Sequence, residues 1–135
     1  RIAGIYGPGR NAFVNLAEGR ARRLVKPGQV FNRIHVADIA ATLAAATARP
    51  QTRIYNLADD EPAPPQDVVA YAADLMGVAP PPEVPFAEAA LSPMARSFYA
   101  ESKRVSNRRI KEELGVRLIH PDYRSGLRAL LPQEG

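Results

Sequence analysis

The opening stretch Arg1-Ile2-Ala3-Gly4-Ile5-Tyr6-Gly7-Pro8-Gly9-Arg10 decides how the rest of the chain is read. Its first six residues are mostly apolar with little alternation, the pattern of a short strand buried on both faces. Gly7-Pro8-Gly9 ends that strand, because glycine frees the backbone and proline withholds a donor. Asn11 stands where a helix cap is expected, ahead of Phe13, Leu16 and Ala17 on one helical face, with the helix closing at Gly19 or a little beyond. After a Pro27-Gly28 turn, Val30 to Val36 reads as a strand. Residues 37–48, nearly all Ala with Ile39 and Leu43 four apart, read as a helix. Arg53-Ile54-Tyr55-Asn56-Leu57 reads as another short buried strand. Strands at 1–6 and 53–57 joined by a helix-bearing crossover are what a parallel sheet requires. Two such strands are too few to stand alone and look like the edge of a larger sheet.

Further along, Asp59 to Pro65 reads as a loop, with Pro65 suited to a first helical turn. Val68, Val69, Ala72, Leu75 and Met76 follow at helical spacing as far as Gly77. Residues 79–85 hold four prolines and are expected to lack regular structure, and 86–104 read as short helix and loop. Ser106 is a cap for a helix bearing Ile110 and Leu114 that stops at Gly115. An extended piece at 116–119 leads through His120-Pro121 to a last helix around Tyr123 to Leu131.

At 135 residues with 46% hydrophobic and 24% charged side chains, the chain fits a single globular unit. The absence of cysteine excludes disulfides, thiolate metal sites and a cysteine nucleophile, and fits a reducing cytoplasm. No apolar run reaches the ~20 residues a membrane span needs. The net charge of +4 is carried mainly by arginine, the side chain suited to bidentate contact with phosphate or carboxylate. The clusters Arg20, Arg22, Arg23, Lys26 and Lys103, Arg104, Arg108, Arg109, Lys111 read as solvated faces. Neither is interleaved with aromatic residues, so a nucleic-acid partner is not supported.

Two motif matches read as decoys. Gly4-x-x-Gly7-x-Gly9 departs from the dinucleotide spacing G-x-G-x-x-G, and Pro8 removes a backbone donor that would hold a pyrophosphate. Tyr99-Ala100-Glu101-Ser102-Lys103 has the Y-x-x-x-K spacing of a general acid/base pair, but lies between Pro93 and the helix start at Ser106. His35 and His120, the only histidines, share no local spacing or carboxylate cluster, and no metal site is expected. Asp59, Asp60 and Glu61 read as solvated, and Asp38 as a favourable charge at a helix start. Tyr6, beside Gly-Pro-Gly, is the leading ligand contact.

Three segments in order, Arg1 to Arg10, Arg33-Ile-His-Val-Ala-Asp-Ile-Ala40 and Ile54-Tyr-Asn-Leu-Ala-Asp-Asp-Glu-Pro62, resemble the second half of extended or atypical short-chain dehydrogenases/reductases. These are the NAD-dependent epimerase/dehydratase proteins. The tail Ser102 to Gly115 is similar to a late helix of that group. The resemblance implies an α/β fold: the C-terminal part of a Rossmann-like parallel sheet plus a small, mostly helical substrate lobe. Residues 1–58 would hold the last sheet strands with their crossover, and 59–135 mainly the substrate lobe.

The resemblance also implies roles. Tyr6, Gly7 and Pro8 would lie beside the cofactor, and Arg10 and Arg33 beside a small-molecule, sugar-like substrate; no residue here is assigned as a catalytic acid or base. NAD or NADP would belong to the parent protein, with none expected on this chain alone. The family's glycine loop and Tyr/Lys pair lie in its first half, and the chain opens on Arg1 in mid-strand. The expectation is therefore a carboxyl half, inactive alone, whose partner is the missing amino-terminal Rossmann half. Phe31 stands where sugar-nucleotide epimerases commonly carry a phosphate-holding arginine. A non-catalytic dinucleotide-binding sensor or scaffold is the alternative, and a basic nucleic-acid-associated module a weaker one. An exposed sheet edge would favour association of copies as a homo-oligomer.

Overall fold

The computed structural model describes residues 1–49 and 53–134. Strand β1 (Gly4–Tyr6) pairs in parallel with β3 (Arg33–His35), placing Tyr6 opposite His35. Between them run α1 (Ala12–Ala17) and β2 (Arg23–Val25). The Asn11 side chain caps α1 by accepting from the Val14 N–H at 3.1 Å, and its amide donates to the Gly7 carbonyl at 2.9 Å. One residue thus ties the Gly-Pro-Gly turn to the helix behind it, a cap worth about 1 kcal/mol.

Helix α2 (Val36–Ala48) follows β3 directly, its first turn capped by His35 Nδ1, which accepts from Ala37 N–H at 3.0 Å. Ala-rich sequence favours the helix and lets it lie close to its neighbours. Helix α3 (Pro65–Met76) begins with Pro65 at its first position and ends at Gly77, whose φ of 71° is the left-handed closure glycine supplies cheaply. It packs on β2, α1 and the final helix α6 (Tyr123–Glu134). Short helices α4 (Pro93–Ser97) and α5 (Arg108–Glu112) complete the chain.

Two apolar clusters hold these pieces. Phe13, Ala72, Tyr123, Leu127 and Leu130 join α1, α3 and α6 around Tyr6. Ile34, Ile39, Leu57, Ile110, Leu114 and Val116 join β3, α2 and α5. Ile2, Ile5, Ile54 and Leu43 remain exposed.

Three expectations need correction. The proline-rich stretch is not wholly irregular: Glu83–Pro85 forms β4, parallel to β2 with Arg23 opposite Glu83. The prolines at 80–82 precede the strand, and each strand of a two-stranded pair is an edge, where proline's missing N–H is tolerated. Strand β2 itself had been absorbed into a charged surface cluster, although its Leu24 is buried. Of the strand expected at 53–57, only Leu57 is paired, in a single parallel bridge to Ile2, because only Arg1 to Ala3 run alongside it. Residues 51 and 52, just ahead of that strand, lie outside the described residues.

Candidate functional site

A cavity of about 640 Å³ opens between the sheet and the helical side of the molecule, a size typical of small-molecule sites. Gly4 to Tyr6 and Arg10 form one side, and Phe31 to Arg33 continue it. Val68 and Val69 of α3, Phe98 and Tyr99, and Tyr123 and Leu127 of α6 form the other. The parallel register brings Arg33 beside Gly4, so residues far apart in sequence line one wall.

Of the five residues singled out from sequence, the cavity gathers Tyr6, Arg10 and Arg33. Gly7 and Pro8 stand outside its lining. Gly7 is buried, and a Cβ there would sit 2.6 Å from Val36 Cγ1, so its open side is filled by α2 of the same chain. Pro8 is exposed. Tyr6 is enclosed too: its ring meets His35 edge-on at 5.2 Å, and its hydroxyl donates to the Asp122 carbonyl at 3.5 Å. Burial, with the Asp59 charge second, holds its phenol protonated well above the usual range.

Arg33 is the most constrained cation. One guanidinium nitrogen donates to the carbonyls of Phe31 and Ala63, both at 3.1 Å. Burial lowers its pKa, with Asp59 opposing. Asp59 was expected in solvent but is 3% exposed. Burial pushes its carboxyl up to about 7, against the Glu61 N–H it accepts at 3.0 Å and the charge of Arg33. Its neighbour Asp60 behaves oppositely: burial works to raise it, but hydrogen bonds from Asn107 and Lys111 hold it below the usual carboxylate range. Adjacent residues on one loop therefore differ because Asp59 is the more deeply buried and only Asp60 takes side-chain hydrogen bonds from an amide and a cation.

The structure also brings together what sequence kept apart. The rings of His35 and His120 lie 4.3 Å apart. Fully buried Asp38 accepts from the N–H groups of Ile119 and His120 at 2.6 and 3.0 Å. His120 Nδ1 lies 3.0 Å from Ser125 Oγ. No local spacing announces these contacts; the one signal was an acid directly behind a buried-type strand. Among the described residues no group of three metal-ligating side chains forms. Tyr99 and Lys103 go separate ways, Tyr99 stacking on Phe86 and Lys103 pairing with Glu101 at the surface at 3.1 Å. No helix of the described residues is long and apolar enough to cross a membrane.

The turn that should flank a dinucleotide offers no cradle for one. Gly7 gives its space to Val36, Tyr6 is boxed in, and Pro8 has no N–H to donate.

No protein-family model matches the sequence. The 3-diazoavenalumate denitrifying reductase of a Streptomyces species is 27% identical over 138 residues, covering 94% of this chain and 44% of that protein. A solved structure of a functionally unknown conserved protein from Silicibacter pomeroyi is 63% identical with a TM-score of 0.91, over 98% of this chain and 46% of that one. The human epimerase family protein SDR39U1, solved with NADPH, is 18% identical with a TM-score of 0.80, over 98% and 47%. Epimerases and dehydratases recur among the neighbours, several with NAD or NADPH bound. The chain has the Rossmann-like fold of NAD-dependent epimerase/dehydratase proteins and spans under half the length of each relative described.

Proposed function

We propose that this chain is the substrate-binding part of an NAD(P)-dependent epimerase/dehydratase-like oxidoreductase and transfers no hydride by itself. The observation that carries this reading is the cavity: it is walled by the β1 turn and β3 on one side and by α3 and α6 on the other, within a fold shared with cofactor-bound relatives over only part of their length. Residues 1–58 supply β1 to β3 and the crossover, and the segment from 59 onward supplies β4 and mainly the lobe that closes the cavity.

In this reading Arg10 and Arg33 face the substrate and Tyr6 walls the same cavity, while the dinucleotide rests on polypeptide outside this chain. A nicotinamide held by the complement would supply the hydride chemistry, and this chain's residues orient the substrate and exclude water. The pyrophosphate-binding element and the catalytic acid/base come from polypeptide outside this chain. The exposed Ile2, Ile5 and Ile54 are the apolar surface that this complement would cover.

The test is NADH and NADPH fluorescence titration. The chain alone is expected to leave the emission unchanged, and the chain produced together with its complement to shift and enhance it. Micromolar binding by the 135-residue chain by itself would overturn the reading.

A further inference from the structure

The chemistry of the cavity narrows what it would hold, taking the substrate-site reading above as its premise. Its walls are aromatic and aliphatic. Phe31 and Tyr99 meet edge-on with centroids 5.2 Å apart, and Tyr99 is backed by the stacked ring of Phe86. Phe98, at 64% exposure, lines the cavity with ring surface still facing water.

Polar side chains also line it, and the two asparagines nearest the strands are committed elsewhere. The Asn11 side chain joins the Gly7 carbonyl to the Val14 N–H. That of Asn32 joins the Lys103 carbonyl to the Val105 N–H, at 2.9 and 3.0 Å. Arg33 spends one nitrogen on two carbonyls, which fixes the guanidinium while its other donors stay uncommitted to them. Arg10 lies exposed on the turn at the same wall. The described lining residues thus include two guanidinium groups and no carboxylate.

We propose that this pocket takes a flat aromatic monocarboxylate, its ring against Phe31, Phe98 and Tyr99 and its carboxylate on Arg33 and Arg10. A planar carboxylate matches the guanidinium fork, and one negative charge suits a site with one fixed and one exposed cation. A nucleoside diphosphate carries more charge than this lining offsets.

Calorimetric titration of the full chain with cinnamate, cinnamamide and UDP tests the assignment. Cinnamate is expected to bind at least roughly tenfold tighter than either of the others, as a charge-assisted contact should. Arg33→Gln and Arg10→Gln are each expected to erase the preference for cinnamate over cinnamamide, a ratio that a merely structural role would not move. Arg10 is exposed, so its variant stays informative even where Arg33→Gln impairs folding. Tighter binding of UDP or cinnamamide overturns the aromatic-acid class but keeps the site. A preference for cinnamate that survives both substitutions also overturns it. Silence with all three probes overturns the class and the site reading together.

Discussion

Two buried acids near opposite ends of β3, Asp38 and Asp59, are treated in opposite ways. At the carboxyl end, His35 caps α2 through Nδ1 while its buried Nε2 has no partner, and Asp38 accepts with both carboxylate oxygens from the N–H groups of Ile119 and His120. At the amino end, Arg33 is pinned through one nitrogen, and Asp59 is buried with its Oδ2 unpartnered. Buried polar groups that are satisfied serve architecture; those left partly open are where a ligand can compete for them. The contrast separates a joint sealed by Asp38 from a working surface around Arg33, at opposite ends of a three-residue strand.

The sealed joint is where substitution should hurt most. Asp38→Ala strips two N–H groups of their acceptors, and a loss of about 3 kcal/mol is expected in urea unfolding. Asp38→Asn keeps one acceptor oxygen and should lose roughly half of that. A wild-type midpoint for Asp38→Ala would break the contrast outright.

Next comes Gly126→Ala, on the α6 face that receives Tyr6, the residue registered opposite His35. A Cβ there would lie 1.9 Å from the Tyr6 hydroxyl and 2.6 Å from its ring carbons. A cost of about 2 kcal/mol is expected. Combining it with Tyr6→Ala should give less than the sum of the two losses, measured as a double-mutant cycle.

The open end makes a pH prediction. The folded-state pKa of Asp59, about 7, lies above its ordinary value of 3.8, so the native state binds its proton more tightly than the unfolded chain. Stability from this group is therefore full below pH 4 and is lost as pH rises through 7. Asp59→Asn should flatten that dependence and be the more stable protein at pH 8 by about 1–2 kcal/mol, read from thermal melts across pH. The smallest effect belongs to the surface: Arg108 and Glu112 pair at 3.3 Å with both side chains exposed. Arg108→Ala should cost no more than about 0.5 kcal/mol.

Local chemistry was legible in the sequence, and distant pairing was not. The Asn11 cap, the Pro65 start and the Gly77 stop each depend on neighbours within a few residues, and all stand as read. Arg10, Arg33 and Tyr6 were picked out through family resemblance, and the register of β1 with β3 brings them to one cavity. Asp59 was misplaced because its burial depends on Arg33 and the packing around it, whereas the sequence shows only three acids and a proline. The aromatic wall was missed for a similar reason: Phe31 meets Tyr99 across more than fifty residues, and Phe86 stacks on that same Tyr99. Irregular segment 101–105 is held against 28–32 by side chains alone. Gln29 donates to the Glu101 carbonyl, and Ser102 bonds to both Gly28 and Val30. No periodicity announces such a seam.

The pairing of β2 with β4 has a kinetic consequence. Its partners, such as Arg23 and Glu83, stand sixty positions apart, twice the separation that joins β1 to β3. Closing the longer loop costs more chain entropy before any ladder bond repays it. The β2–β4 pair should therefore form after β1–β3 during refolding and exchange its amide hydrogens sooner in the native state, making that edge the molecule's natural point of first opening.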